Sequence, residues 1–265
     1  MVISPGKLNF GMELFYREYG KGDPVIILHG LFGSADNWMT QAKMLGGQYH
    51  VYTVDQRNHG LSPHSPEHDY LAMADDLNLF FEQRKLKSAM LIGHSMGGKT
   101  AMNFALKYPD KVRKLLVVDI VPKAYPVHHN KILAGLKSLS LNTLASRNQA
   151  DAELAHYVNE PEVRQFLLKN LSRESGNGFV WKINLEAIDQ NIEEMGVALV
   201  VNGHYDGSVL FVMGQRSNYF SLGDEAIIKK HFPNFTMVEM ETGHWVHAEK
   251  PKEFVEEAMK FFGRK

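Results

Sequence analysis

The sequence of 265 residues contains no cysteine, and this absence excludes disulfides, thiolate nucleophiles and cysteine-ligated zinc. It also lacks an apolar run of the roughly 18 residues needed to span a membrane, and its N-terminal segment lacks the apolar core of a signal peptide. We therefore expect a cytoplasmic protein. The formal net charge of -1 produces no overall basic field, so we expect no nucleic-acid partner.

The composition is that of an ordinary globular protein, with 44% hydrophobic and 22% charged residues. A chain of this length can bury a large core, and it suits one domain that carries an insertion. No repeat or charge block subdivides it, so the organisation has to be inferred from the alternation of apolar segments.

Six short apolar runs punctuate the chain, and each ends near Gly, Asp or His. Such runs are typical of parallel strands that are covered on both faces, and most are separated by segments with helical spacing. The pattern predicts an α/β sheet flanked by helices. The runs are VIIL (25–28), VYTV (51–54), AMLI (89–92), LLVV (115–118), VLFV (209–212) and FTMV (235–238).

The alternation stops between Asp119 and Ser208, an interval too long for a loop. Its segments are amphipathic with helical spacing, which predicts a helical subdomain over 123–205, inserted into a core formed by 1–122 and 206–265. Two crossover helices with a long surface loop are the alternative, and VALVV (197–201) could form an extra strand.

The segment GHSMGGKT (93–100) fits two chemistries. Read as G-x-S-x-G, it is a nucleophile elbow that presents Ser95 from a sharp strand-to-helix turn. Read as G-x-x-x-x-G-K-[ST], it is a phosphate-binding loop with Lys99, and Asp119 at the end of LLVVD could then hold its metal ion. The short patterns alone do not decide between a serine hydrolase and an NTPase.

Features elsewhere in the chain favour the hydrolase. His244 follows the last predicted strand, as expected for a base that activates Ser95. The segment HGLFGS (29–34) follows the first strong strand, where this hydrolase class provides a backbone N-H group for the oxyanion. In addition, two strands precede the elbow, whereas a phosphate-binding loop usually follows the first. We predict Leu31 and Met96 as the oxyanion donors.

Two alternatives accompany these assignments. Phe32 could donate to the oxyanion instead of Leu31. His244 and His247 have the spacing of a metal-binding pair, but no third ligand accompanies them, so we expect no metal and a structural role for His247.

The segments VIILHGLFGSADNW, VDQRNHGLS, LIGHSMGGKTAMNFA, VVDIVP and GHWVHAEKP together resemble the α/β-hydrolase superfamily, and within it the YbfF-type bacterial carboxylesterases. The resemblance covers essentially the whole chain. It implies an eight-stranded, mostly parallel sheet with a helical cap inserted after the sixth strand. It also implies hydrolysis of short to medium acyl esters, or of thioesters such as acyl-CoA, without a metal or organic cofactor.

The acid of the triad is missing from its common place in this superfamily, the loop after the seventh strand. That loop, GQRSNY (214–219), contains no carboxylate, and Ser217 stands about where an Asp is expected. Asp119 ends the preceding sheet strand, and its position at a carboxyl end suits a catalytic group. We therefore predict Asp119 as the acid, a choice that the resemblance supports, with Asp224 as the main alternative. Ser217 and Asn218 are then candidates for hydrogen bonds near His244.

Other residues are assigned by position. Asp55 and Arg57 end a strand, where we expect an ion pair that fixes the loop. His29 is expected to stabilise the oxyanion loop. Aromatic and His residues in the insertion and in the flanking loops are candidates for the substrate pocket. These candidates are Phe32, Tyr125, His129, Trp181, Tyr219 and Trp245, with His128 and Phe166 as further possibilities.

The predicted function is therefore a serine carboxylesterase that forms an acyl-enzyme on Ser95, with a small-molecule ester as substrate. The alternatives are an acyl-CoA thioesterase with the same triad, a phosphate-loop NTPase, and an inactive binding module. The sequence leaves acyl length and oligomeric state open.

Overall fold

The computed structural model describes residues 11–173 and 178–263. All six predicted runs form strands of one sheet, and a seventh strand joins it. The sheet order is β1-β3-β2-β4-β5-β8-β9. The strands are β1 (Tyr16–Tyr19), β2 (Asp23–Leu28), β3 (Tyr49–Val54), β4 (Ala89–His94), β5 (Val112–Val118), β8 (Ser208–Gly214) and β9 (Phe235–Met240).

Every neighbouring pair in this sheet is parallel except β1 and β3. β1 lies at the edge, and its sequence YREY has only intermediate or exposed residues, so it lacks the apolar signal of a covered strand. The resemblance implied eight strands, and the described residues contribute seven to the main sheet.

The sheet is covered by helices on both faces because its strands alternate between two apolar clusters. The helices that cover the sheet are α1 (Met39–Leu45), α2 (Tyr70–Gln83), α3 (Met96–Lys107), α8 (Asp224–His231), α9 (Val246–Glu249) and α10 (Pro251–Gly263). In β2, Ile26 and Leu28 belong to a cluster with α2, α3 and α8, whereas Val25 and Ile27 belong to a cluster with α1 and α10. None of the helices in the described part of the chain is long and apolar enough to cross a membrane.

The secondary structure between β5 and β8 consists mainly of helices in the part of the chain that the structure describes. This segment forms α4 (Asn130–Ser138), α5 (Arg147–Leu154), α6 (Pro161–Leu168), α7 (Leu185–Gln190) and a small hairpin of β6 (Leu171–Arg173) and β7 (Phe179–Trp181). The possible strand at 197–201 does not form. Instead, the N-H groups of Val200 and Val201 donate to the side-chain oxygen of Asn103 on α3.

This helical segment buries its own apolar cluster against the sheet domain. Leu133, Leu167 and Ile188 pack in one cluster with Phe32 and Met96, which flank the carboxyl ends of β2 and β4. The helical segment therefore covers the end of the sheet at which parallel strands of an open α/β fold present their binding site.

Candidate active site

Ser95 occupies a strained turn between β4 and α3, with φ 52 and ψ -117. Two glycines make the turn possible. A Cβ on Gly93 would lie 2.3 Å from the carbonyl oxygen of Gly97, and a Cβ on Gly97 would lie 2.4 Å from the carbonyl oxygen of Leu28. The turn is therefore accessible only to this glycine pattern, and strain retained at such a turn is typical of functional sites.

His244 and Asp119 are hydrogen-bonded. The Nδ1 atom of His244 lies 2.7 Å from Oδ2 of Asp119, which is completely buried. The ring of Tyr219 stacks on His244 with a centroid separation of 4.3 Å and an angle of 21°. Nε2 of His94 donates to the backbone carbonyl of His244 at 2.9 Å. The imidazole is thus held by a carboxylate on one side and an aromatic ring on its face.

Asp119 directly follows β5 and has a φ of 50. Its Oδ1 accepts from the N-H of Gly214 at 2.8 Å, and its Oδ2 accepts from the hydroxyl of Ser217 as well as from His244. The loop without a carboxylate therefore supplies donors to the carboxylate of the neighbouring strand. Of the two candidates for hydrogen bonds near His244, Ser217 forms one with Asp119. The side chain of Asn218 forms none within the described residues.

The alternative acid, Asp224, lies elsewhere. Its Oδ2 is 2.5 Å from Nζ of Lys123 and accepts from the N-H of Ser221 at 2.8 Å. These contacts secure the start of α8, so the structure brings Asp119, and not Asp224, to His244.

The Ser95 hydroxyl and Nε2 of His244 both lack hydrogen-bond partners within residues 11–173 and 178–263. Both residues line the same cavity. Contacts between a nucleophile and its base are often long before substrate binds. The free hydroxyl and the oriented imidazole can therefore form a nucleophile and base pair once substrate excludes water.

The two candidate oxyanion donors after β2 differ in their contacts. The N-H of Phe32 donates to Nε2 of His59 at 3.1 Å, whereas the N-H of Leu31 has no partner in the described chain. The N-H of Met96, in the first turn of α3, is equally free of a described partner, as is usual at a helix start. The available pair is therefore Leu31 and Met96.

His59 is a functional candidate that sequence reasoning missed. Its Nδ1 donates to the carbonyl of Arg57 at 2.9 Å, which leaves Nε2 as the acceptor for Phe32. Burial lowers the pKa of His59 to about 3, so the ring stays neutral and keeps this acceptor. The signal was present in DQRNHGLS, but the sequence does not indicate which loop the histidine contacts.

His29 supports the same loop from the other side, as expected. Its Nδ1 donates to the carbonyl of Gly30 at 2.8 Å, and its Nε2 accepts from the N-H of Gln56 at 3.0 Å. Burial lowers the pKa of His29 to about 4, which preserves the neutral tautomer that these two bonds require.

The prediction that Asp55 and Arg57 form an ion pair with each other is wrong. Arg57 instead binds Asp76 of α2 through two hydrogen bonds of 2.7 and 2.9 Å. Asp55 accepts from the N-H groups of Ala35 and Leu61 at 2.6 and 2.8 Å. The carboxylate still fixes the loop, but it does so through backbone donors, while the guanidinium takes a buried partner on a helix.

Lys99 contradicts the phosphate-loop interpretation. Its side chain is 1% exposed, and its Nζ donates to the carbonyl of Val197 in the helical segment. The ammonium also lies 5.7 Å from the ring centroid of Tyr70 and 5.0 Å from that of Tyr125. Burial lowers its pKa to about 7. The Lys99 head group is thus occupied inside the protein by its contacts with Val197, Tyr70 and Tyr125.

His247 does not form a metal pair with His244. Its ring stacks on Trp38 with a centroid separation of 3.9 Å and an angle of 9°, and burial lowers its pKa to about 3. In the part of the chain that the structure describes, no group of three or more His, Asp or Glu side chains is arranged to hold a metal ion.

Two small cavities meet at Ser95. The outer cavity, about 100 Å³, is the one that His244 and Trp245 line, and the inner cavity, about 40 Å³, is the one that Tyr70 and Tyr125 line.

Five of the six residues predicted for the substrate pocket line these cavities. The sequence did not indicate that there are two cavities or which residue lines which. Phe32 lines the outer cavity, as does Trp245, while His129 and Tyr219 line both. Trp181 lines neither. It lies in β7 and packs against the apolar cluster of the helical segment.

The fold and this site agree with comparisons to known proteins. The profile of the family described as alpha/beta hydrolase fold matches residues 23–251. The chain belongs to the α/β-hydrolase family, and it is an enzyme of the ester-hydrolysing class.

Individual relatives support the narrower resemblance. Esterase YbfF of Escherichia coli is 36% identical over 248 residues, which cover 92% of this chain and 94% of that protein. The sn-1-specific diacylglycerol lipase ABHD11 of Mus musculus is 38% identical, covering 89% of this chain and 80% of the lipase. Among solved structures, a marine microorganism esterase has 41% identity and a TM-score of 0.92, with 95% of this chain and 100% of that chain covered. The expected relation to YbfF-type esterases is confirmed.

Proposed function

We propose that the protein is a serine carboxylesterase that forms an acyl-enzyme on Ser95, with His244 as base and Asp119 as acid. The observation that carries the proposal is the 2.7 Å contact between His244 Nδ1 and Asp119 Oδ2, beside an elbow serine that lines the same cavity as the imidazole. A serine hydroxyl is a weak nucleophile at neutral pH, and an adjacent general base of this kind activates it.

The residues have distinct roles in the proposed reaction. His244 Nε2 takes the Ser95 proton as the oxygen attacks the ester carbonyl, and the free N-H groups of Leu31 and Met96 bind the oxyanion that develops. The protonated His244 then gives its proton to the leaving alcohol. A water molecule, activated by His244, then attacks the acyl-enzyme in the same way and releases the carboxylic acid. In both steps Asp119 orients the imidazole through its Nδ1 proton and stabilises the imidazolium.

We also propose that residues 123–205 act as a cap on a hydrolase core formed by 1–122 and 206–265. Support comes from the apolar cluster that the segment shares with Phe32 and Met96 at the mouth of the site. A cytoplasmic location stays a prediction.

A fluorophosphonate probe tests the proposal, because it labels a serine only when a base activates it. We expect labelling of the native protein, none of Ser95→Ala, and a large loss in His244→Gln. Ser140→Ala and His64→Gln are matched controls at exposed positions and should label normally. Turnover of p-nitrophenyl acetate should follow the labelling.

Other outcomes favour the alternatives. Binding of ATP with magnesium and no labelling would support the NTPase, and neither labelling nor nucleotide binding would support an inactive binding module. Labelling with turnover of acetyl-CoA but not of p-nitrophenyl acetate would make the enzyme a thioesterase.

A further inference from the structure

The two cavities at Ser95 meet at a junction that is defined by the residues they share. Four residues line both of them: Leu31, Ser95, His129 and Tyr219. Since the nucleophile lies at this junction, an ester whose carbonyl carbon is within reach of Ser95 must extend its acyl chain into one cavity and its alcohol into the other.

His244 indicates which cavity receives the alcohol, provided that the function proposed above holds. The imidazole must give its proton to the leaving oxygen, so the leaving group has to lie beside His244. His244 lines the outer cavity and not the inner one. The alcohol therefore occupies the outer cavity and the acyl chain the inner cavity.

The inner cavity is small and apolar. Its volume is about 40 Å³, and Tyr70, Ile120, Tyr125, Val127 and Met195 form its walls. This volume is less than half that of the outer cavity, so we expect the inner cavity to accept only a short alkyl chain, such as that of acetate or butanoate.

The outer cavity, in contrast, continues into an open groove. The groove has a volume of about 930 Å³ and shares Val163, Phe166 and Trp245 with the outer cavity. The rings of Phe166, from α6, and Trp245 lie 5.5 Å apart. An alcohol that passes this aromatic pair enters a groove with room for a large group. The groove is lined by apolar side chains and also by charged ones, among them Glu160, Glu162 and Lys169.

We propose that the enzyme is specific for esters of short acids, from acetate to butanoate, with a bulky alcohol that packs an apolar part against Phe166 and Trp245 and extends from the outer cavity into the groove. Chain length is limited by the walls of the inner cavity, and the alcohol is selected between α6 and the loop that carries Trp245.

The experiment compares kcat/KM for p-nitrophenyl acetate, butanoate, hexanoate and octanoate. Each group beyond the available space overpacks the inner cavity, so we expect hexanoate to be at least about tenfold poorer than butanoate. A valine to alanine change on each side provides a matched pair. Val127→Ala enlarges the inner cavity and should raise the hexanoate to butanoate ratio by about fivefold or more, because one overpacked group is relieved.

Val163→Ala changes the outer wall by the same chemistry. It should leave the hexanoate to butanoate ratio of kcat/KM within about twofold of the native value, because Val163 does not line the cavity of the acyl chain. It should instead alter the preference between naphthyl and ethyl butanoate. Equal or better turnover of octanoate by the native protein would overturn the proposal, as would a change in the acyl ratio caused by Val163→Ala and not by Val127→Ala.

This outcome is distinguishable from a failure of the proposed function. If Ser95 is labelled by fluorophosphonate and esters are turned over, a preference for long chains refutes only the assignment of the cavities. If Ser95 is not labelled and no ester is hydrolysed, the serine esterase itself is refuted.

Discussion

Replacing Asp119 by Asn changes a single atom of the network and should nearly abolish turnover. Oδ1 of Asp119 accepts from the Gly214 N-H, while Oδ2 accepts from both His244 and Ser217. An Asn that keeps its oxygen toward Gly214 turns its NH₂ toward Nδ1 of His244. The imidazole then has to accept at Nδ1 and carry its proton on Nε2, where it can no longer take a proton from Ser95.

The opposite orientation of the Asn is also unfavourable. It would face NH₂ with the N-H of Gly214, leaving buried donors unsatisfied at a cost of about 1 to 3 kcal/mol. The wrong tautomer should therefore dominate. In a serine protease the equivalent change costs about 10⁴ in turnover, which is about 5.5 kcal/mol of transition-state stabilisation.

The assay is kcat/KM with p-nitrophenyl acetate, accompanied by thermal unfolding to verify the fold. We expect a loss of about 10³ to 10⁴ in Asp119→Asn with a nearly unchanged Tm. Asp224→Asn is the matched control, since the same change there affects only contacts at the start of α8. Activity of Asp119→Asn within tenfold of the native enzyme would refute the reasoning, most clearly if Asp224→Asn lost activity instead.

Three further perturbations have defined outcomes. Ser217→Ala removes one of two donors to Asp119 Oδ2 and should lower kcat by about tenfold or less, whereas Ser217→Thr keeps the hydroxyl and should lose less. His59→Leu leaves the Phe32 N-H without its acceptor and should lower kcat more than it raises KM, and His59→Gln should recover part of the loss. Lys99 has a pKa of about 7 when folded and a usual value of 10.5, so the unfolded chain binds more protons between these values and stability rises with pH across that window. Urea titrations at several pH values give the free energy of unfolding of the native protein and of Lys99→Met. The slopes of these free energies against pH should differ by up to about 1.4 kcal/mol per pH unit, and identical slopes would show that the pKa of Lys99 is not shifted.

The sheet could be predicted because its signal is local. Strands buried on both faces need continuous apolar runs, and β2, β4 and β5 each display one that ends at HGLFGS, GHS or Asp119. Because parallel strands align their carboxyl ends, the order of elements along the chain already indicated that these groups would lie near His244.

The remaining features depend on contacts between segments that are distant in sequence. Arg57 had a carboxylate two residues away in Asp55, yet it binds Asp76 on α2, since only the folded chain brings that helix to the strand end. Trp181 looked like a pocket residue by its aromatic character alone, but the small hairpin directs it into the packing of the helical segment. β1 escaped prediction because an edge strand needs backbone partners more than apolar side chains.

The position proposed for the catalytic acid depends on contacts between two neighbouring strand ends. β5 and β8 are neighbours in the sheet, and the N-H of Asp119 pairs with the carbonyl of Val212, so their carboxyl ends lie side by side. The φ of 50 at Asp119 bends the chain as it leaves β5, and the carboxylate lies within hydrogen-bond distance of Gly214 N and Ser217 Oγ, which follow β8. The carboxylate at the end of β5 reaches the imidazole, and the loop after β8 supplies the donors that orient this carboxylate. In the proposed triad, the loop without Asp or Glu therefore complements Asp119 by supplying the Ser217 hydroxyl and the Gly214 N-H as hydrogen-bond donors.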